Sequence, residues 1–460
     1  MSARRSMLLT ISAGTDAFVD ALARASRRGE ADFSKAEPVV REILDHVRHE
    51  GDATVLHYIE KFERRAPRSL LLRDYGGAEA LARLPAEARN ALEYAAARIR
   101  RFHEHERQAM FGATFLLDGK TSVQGFHYEE GGIGLGLRVR PLRRVGVYAP
   151  GGKARYPSSV LMSAIPAQVA GVDEIVLATP LAGDATDDAV LAAAHLAGVT
   201  AILDAGGAQA IAALAYGTKT VAQVDKIVGP GNAYVACAKR LVYGAVSIDS
   251  IAGPSEILVV ADETADPAVV AADLLSQAEH DEDAYCFLVT NRADLLEAVQ
   301  RELATQLESL PRAAIAREAL KHHGQAFLVA DRKAMAETAD MIAAEHLSLQ
   351  VDAPETLLVS IRNAGAAFVG RLTPEAAGDY VAGPSHVLPT GGVVRFGSPL
   401  GVHDFVARTS LIRYSADALR GEERTICALA RLEGLEAHAR AVSVRCVVPR
   451  SGADKPPARD

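Results

Sequence analysis

Val145-Gly-Val-Tyr-Ala-Pro-Gly-Gly-Lys153 is the stretch on which the fold turns. A short apolar run, Val145–Ala149, stops at a proline–glycine turn, and an apolar helical run, Ser159–Ala170, follows it. The same cadence repeats downstream. Strands are expected at Glu174–Thr179, Ala201–Leu203 and Lys226–Val228, with helices at Asp188–Ala197 and Gln209–Tyr216 between them. Alternation at this spacing predicts a parallel sheet covered on both faces, with right-handed crossovers. A second series follows, with strands at Ile257–Val260, Cys286–Val289, Phe327–Val329 and Leu357–Ile361. Its helices are expected at Pro267–His280, Ala293–Leu307 and Ala334–Glu345. The fold class is therefore α/β, in two similar lobes with a ligand cleft between them.

Outward from this centre the texture changes. Upstream, Val39, Val40, Ile43, Leu44 and Val47 recur at helical spacing, as do Leu56, Tyr58, Ile59 and Phe62, and Leu92–Phe102 continues the pattern. Residues 1–143 are read as a helical N-terminal region packing on the second lobe. The lobes are assigned to residues 144–250 (first) and 251–383 (second). Residues 384–450 are loop-rich and then helical over Ala416–Arg440, an arm that packs on something else. Residues 451–460 are polar, with two prolines, and are expected to be disordered.

Composition excludes several classes. With 49% hydrophobic residues among 460, the chain has material for real cores and is not globally disordered. Its 58 acidic and 50 basic residues leave a net charge of −8, which repels nucleic-acid phosphates in the absence of a segregated basic patch. Cys237, Cys286, Cys427 and Cys446 have no paired metal spacing and read as reduced thiols. Arg4 and Arg5 precede only a brief apolar stretch, Met7–Ile11, and no segment approaches the roughly 20 apolar residues of a membrane span. The expectation is a soluble, cytoplasmic protein with neither nucleic acid nor membrane as partner.

The chemistry-bearing residues are dispersed. Gly131, Gly132, Gly134 and Gly136 precede a strand rather than follow one, so they read as a loop and not as a dinucleotide fingerprint. Pro150-Gly151-Gly152 and Gly229-Pro230-Gly231-Asn232 do join strand to helix, where backbone N–H groups hold phosphate or merely make a tight turn. Gln277 and His280 leave one face of a helix at i, i+3. Asp379 lies on a glycine loop, His386 follows in Gly-Pro-Ser-His, and His438 sits near the end of the last helix. Such donors suit a borderline metal such as zinc, although a lone helical histidine caps or packs as readily. Glu345-His346, at a helix-to-strand turn, pairs a carboxyl with an imidazole able to divide two proton transfers, or simply places His at a helix end for its dipole.

Taken together, several segments resemble the histidinol dehydrogenase family. They are Val145 to Lys153, Gly206-Gly-Ala-Gln-Ala-Ile-Ala212, Val228-Gly-Pro-Gly-Asn232, Ala252-Gly-Pro-Ser-Glu-Ile257 and Asp273-Leu-Leu-Ser-Gln-Ala-Glu-His280. Ala344-Glu-His-Leu347, Ala377-Gly-Asp-Tyr380 and Ser385-His-Val-Leu-Pro-Thr390 complete the set, and the likeness runs from about Ala36 to Val447. The resemblance implies two incomplete Rossmann-like lobes, a homodimer with shared active sites, and a C-terminal arm that crosses to the partner. It implies one zinc per subunit on Gln277, His280, Asp379 and His438, with Glu345 and His346 as the catalytic acid–base pair. Ser255, His386 and Glu433 join these residues around substrate, and Tyr148, Gln209 and Asn232 contact NAD. The implied reaction oxidises L-histidinol to L-histidine through L-histidinal, the last step of histidine biosynthesis. Leu137 departs from the family's usual Gly-Gln-Arg, at a position with no catalytic role. Three rivals compete: a related dehydrogenase of a sulfonated diol, a zinc hydrolase using Glu345, and a catalytically dead binding protein. Glu433 and His386 favour histidinol over the first, and the intact Glu345-His346 pair disfavours the last.

Overall fold

The computed structural model describes residues 6–29, 33–151, 155–251 and 253–447. Arg4, Arg5, Gly152, Lys153, Ala252 and the tail 451–460 lie outside the described residues. The chain divides into two compact units, residues 1–107 with 141–405, and residues 108–140 with 406–460.

The first unit holds two six-stranded sheets. In spatial order the first is Ser247–Ile248, Lys226–Val228, Arg144–Tyr148, Glu174–Ala178, Ala201–Leu203 and Leu71–Leu72. Its strands are parallel, except that Leu71–Leu72 runs antiparallel to Ala201–Leu203. The second is wholly parallel: Leu9–Ser12, Gly324–Leu328, Tyr285–Thr290, Glu256–Ala261, His346–Gln350 and Ala366–Val369. A central strand covered on both faces is largely apolar, and Glu256–Ala261, apolar after its first residue, is buried at all six positions. Period-two geometry then divides its side chains. Ile257, Val259 and Ala261 pack with Leu274 and Leu275 of the helix Pro267–Ala278 on one face. Leu258 and Val260 pack with Met335 and Ala339 of the helix Arg332–Ile342 on the other.

Several expectations need correcting. The N-terminal region is neither wholly helical nor packed on the second lobe alone. Its strand Leu9–Ser12 and helix Asp16–Arg27 join the second sheet, whereas Val40, Ile43, Leu44 and Val47 of the helix Glu37–Glu50 enter the core beside the first. Leu357–Ile361 is not a strand. Pro354 starts a helix, Pro354–Leu358, and Leu357 and Ile361 bury at a spacing of four residues, the helical and not the extended period. The helix expected to reach Glu345 ends at Ile342, capped by Ala343 at φ 53°, so Glu345 directly precedes and His346 opens the strand His346–Gln350. Likewise Pro267–His280 stops at Ala278, leaving His280 in the turn beyond.

In the second unit the order is Val406–Tyr414, Ile133–Pro141, Ser122–Glu130 and Thr114–Leu116. The Gly131–Gly136 cluster is thus a hairpin: Gly131 and Gly132 make its turn at φ 57° and 81°, and Gly134 and Gly136 lie in a strand opposite Glu129 and His127. Leu137 pairs with Phe126 in the same ladder. The single C-terminal helix expected over Ala416–Arg440 is two, Ala416–Leu432 and Glu436–Val447, broken where Gly434 takes φ 74°. Among the described residues no helix is long and apolar enough to cross a membrane.

Candidate active site

The topology of the second sheet explains how distant residues meet. Glu256–Ala261 runs away from its first residue, and the helix Pro267–Ala278 runs back. The last helical turn therefore returns Gln277 to the level of the strand starts. His346 opens the neighbouring strand, in register with Ile257. The helix Glu375–Tyr380 carries Asp379, which is on a helix rather than a glycine loop. One carboxylate oxygen each from Glu375 and Asp379 and a ring nitrogen of His346 lie within 4.8 Å of one another. His386 Nδ1 is 3.6 Å from Asp379 Oδ1.

Each of these groups is oriented by a neighbour. His346 Nδ1 lies 2.9 Å from the Glu256 carbonyl. A carbonyl only accepts, so Nδ1 carries the hydrogen and Nε2 keeps its lone pair. Burial pushes the imidazole down to about 4, which leaves it neutral at neutral pH. Glu345 Oε2 accepts the Glu256 N–H at 2.9 Å. Burial, and then the Glu256 charge, hold the Glu345 carboxyl well above the usual carboxylate range. Burial also raises Asp379, but His386, His346 and His280 together override it and bring its carboxyl below the ordinary value. The Gln277 amide is assigned by its neighbours: turned toward Glu375 Oε1 (2.8 Å) and the Glu256 carbonyl (3.3 Å), its nitrogen meets two acceptors and its oxygen faces away from them.

The remaining sequence-predicted residues fall in four places. His280, exposed at the turn after Gln277, lies near enough for its charge to act on both Asp379 and His346. Ser255, half-buried, immediately precedes Glu256. Glu433 and His438 are exposed in the second unit, at the break between its two helices and near the start of the latter helix.

Tyr148, Gln209 and Asn232 gather at the first sheet, at or beyond the carboxyl ends of its strands. Tyr148 closes the strand Arg144–Tyr148, and its hydroxyl accepts the Gly207 N–H at 3.1 Å, keeping its own hydrogen to donate. Gln209 donates to Glu63 Oε1 at 3.3 Å. Asn232 caps the helix Ala233–Val242 through its oxygen, leaving its NH₂ outward. The preceding turn is braced from beneath. Asp249 accepts the Gly229 N–H (2.8 Å), and the fully buried Lys239 donates to the Gly229 carbonyl (2.9 Å) while pairing with Asp249. Gly229 is required here, because at φ 109° a Cβ would lie 2.2 Å from the Tyr148 carbonyl oxygen. Lys239→Met strands Asp249 in the interior and is expected to cost about 3–5 kcal/mol, read as a lower urea midpoint.

Two buried carboxyls went unnoticed in the sequence. Glu375 precedes Asp379 by four, a helical signal hidden by reading that segment as a loop. Glu256 lies inside the Ala252–Ile257 motif directly after Ser255, and a single carboxyl at a strand start gives no local signal of its role.

The family model for histidinol dehydrogenase matches residues 26–446. The histidinol dehydrogenase of Lactiplantibacillus plantarum is 48% identical over 411 residues, 89% of this chain and 93% of that protein. That of Syntrophotalea carbinolica is 48% identical over 441 residues, 95% of this chain and 99% of that protein. The crystal structure of histidinol dehydrogenase from Elizabethkingia anophelis superposes with a TM-score of 0.86 at 32% identity, covering 96% of this chain and 98% of that one.

Proposed function

The chain belongs to the histidinol dehydrogenase family, oxidoreductases of histidine biosynthesis, and from that premise we propose that it oxidises L-histidinol to L-histidine at the Glu345–His346 centre, using zinc and NAD. The observation that carries the assignment is the buried pair itself: His346 Nδ1 lies 2.9 Å from the Glu256 carbonyl and 3.7 Å from Glu345 Oε2, and burial favours the neutral imidazole and raises the carboxyl.

Gln277, His280 and Asp379, with His438 of the partner subunit, would hold zinc. An amide oxygen, imidazoles and a carboxylate form a donor set suited to that ion, and with the Gln277 nitrogen turned to Glu375 and the Glu256 carbonyl its oxygen is not spent on them. Tyr148, Gln209 and Asn232 would hold the dinucleotide. When bound, the metal supplies a cationic anchor for the substrate's imidazole and amine, and NAD supplies the hydride acceptor.

The chain's own residues manage the protons. His346 Nε2 takes the hydroxyl proton as the carbinol carbon loses hydride, giving the aldehyde. Glu345 then takes a proton from the water that adds to that aldehyde, and His346 returns its proton to the aldehyde oxygen, which gives the hydrate and leaves the imidazole neutral again. His346 takes the hydroxyl proton of the resulting hydrate as a second hydride leaves, and the product is the acid. Ser255, His386 and Glu433 of the partner subunit would orient the substrate. The concentration of carboxyls at Glu345, Glu375 and Asp379 supports an ammonium-bearing alcohol and disfavours a sulfonated diol, which would face them as an unmatched anion. A metal hydrolase would leave the Tyr148, Gln209 and Asn232 group without a use.

The deciding experiment follows NADH on addition of L-histidinol, before and after a chelator and again with zinc restored. Two NADH per histidinol are expected, with loss on chelation and recovery on zinc. Turnover without NAD, or preference for a sulfonated diol, would displace the reading. We further propose a homodimer with shared sites, working in the cytoplasm without nucleic acid or membrane.

A further inference from the structure

Glu256 has four polar atoms, and each one is engaged. Its N–H holds Glu345 Oε2 and its carbonyl holds His346 Nδ1, both at 2.9 Å. Its carboxylate accepts the Gly391 N–H at 2.7 Å and the Glu345 N–H at 3.3 Å. Arg28 closes the set from the end of the first helix, donating Nε to Oε1 at 2.7 Å and Nη2 to Oε2. The same guanidinium donates to the carbonyls of Ile342 (2.7 Å) and Ala343 (3.2 Å). Those carbonyls mark the bend at which the helix Arg332–Ile342 ends, and Ala343 turns left-handed at φ 53° only two residues before Glu345. The Arg28 and Glu256 side chains are 2% and 1% exposed.

Burying an ion pair this completely brings no dependable stability over apolar residues of equal volume. What it does bring here is direction. One residue grips both members of Glu345–His346 through its backbone and side chain. The other grips the bend that delivers them, and Gly391, just beyond Thr390, is tied to the same carboxylate.

We propose that Arg28 and Glu256 are positioning residues for the Glu345–His346 pair, their buried fork-to-carboxylate contact fixing where the Glu345 carboxyl and His346 Nε2 point. The inference rests on the acid–base reading of Glu345 and His346. Neither Arg28 nor Glu256 touches the reacting atoms in this scheme. Arg28 comes from the N-terminal segment, 228 residues before Glu256.

The test uses the zinc-loaded full-length enzyme. Arg28→Met, Arg28→Lys and Glu256→Gln are compared with wild type for alcohol oxidation, for oxidation of supplied histidinal, for bound zinc per subunit and for melting temperature. Arg28→Met is expected to lower kcat for aldehyde oxidation by roughly 100-fold, the scale of an ångström of misplacement. KM for NAD and zinc content should stay near wild type. A purely structural pair predicts lower yield and melting temperature with full kcat per zinc-loaded site, and that result overturns the proposal. Where Arg28→Met does not accumulate, Arg28→Lys, which keeps the charge but loses the fork, is judged by the same split. Glu345→Gln runs in parallel. If it leaves aldehyde oxidation intact, the acid–base reading itself fails. If it abolishes that step and the Arg28 variants do not slow it, only the positioning role fails.

Discussion

Glu345→Gln is expected to slow aldehyde oxidation by about 10²–10⁴-fold while sparing most of the alcohol step. The amide is isosteric, and its oxygen still accepts the Glu256 N–H that now holds Oε2. What it cannot do is take a proton from water. In the first oxidation the proton goes to His346, and no water is consumed, so Glu345 has little to contribute there. Single-turnover assays started separately from histidinol and histidinal measure the two steps, and equal losses would count against the division of labour. The pH dependence carries the same signature. A general base must be deprotonated, and burial raises the carboxyl above its ordinary value. Aldehyde oxidation is therefore expected to climb with pH through a group titrating above the normal carboxylate range, and Glu345→Gln is expected to lose that limb.

The second large effect concerns the arm. His346→Ala and His438→Ala are each expected to be nearly inactive alone, because one lacks the base and the other a metal ligand. If each site combines His346 of one chain with His438 of the other, dissociating and remixing the two variants restores activity. Half of the randomly mixed dimers carry one chain of each kind, and each of those has one intact site, so about a quarter of wild-type turnover should return. Sites built within single chains give no recovery. The arm's surface favours the shared arrangement: Leu432 and Val447 are 84% and 80% exposed, and Leu429 and Val444 are each 58% exposed. In the proposed dimer the partner would cover this apolar area around Glu433 and His438.

The sequence was informative where a single physical rule governs. Ala201–Leu203 and Lys226–Val228 form strands with the very limits expected, because buried parallel strands are short, apolar and bounded by turns. Leu357–Ile361 misled because Leu, Val and Ile crowd there at a spacing that serves a helical turn equally well, and only Pro354 gave the start away. The strand His346–Gln350 was obscured by its polar residues: Ser348 and Gln350 are buried and hydrogen-bonded to Asp273, a pairing no local pattern reveals. The site residues were recognised by motif, since the chain's spacing cannot announce that a returning helix will set Gln277 beside Glu375. Arg28 was invisible for the same reason. A single arginine near a helix end looks solvated until the strand that it serves has been placed.

The pairing of Leu9–Ser12 with Gly324–Leu328 has a consequence for biogenesis. The strand Leu9–Ser12 has to wait for a neighbour synthesised roughly 300 residues later, on the order of 15–60 s at ordinary elongation rates. Until then the nascent chain exposes Leu8 and Ile11, both buried in the finished protein. This late closure should therefore add to chaperone demand during translation, and a circular permutant opened in the turn at residues 308–312, beyond the helix Ala293–Gln306, would relieve it.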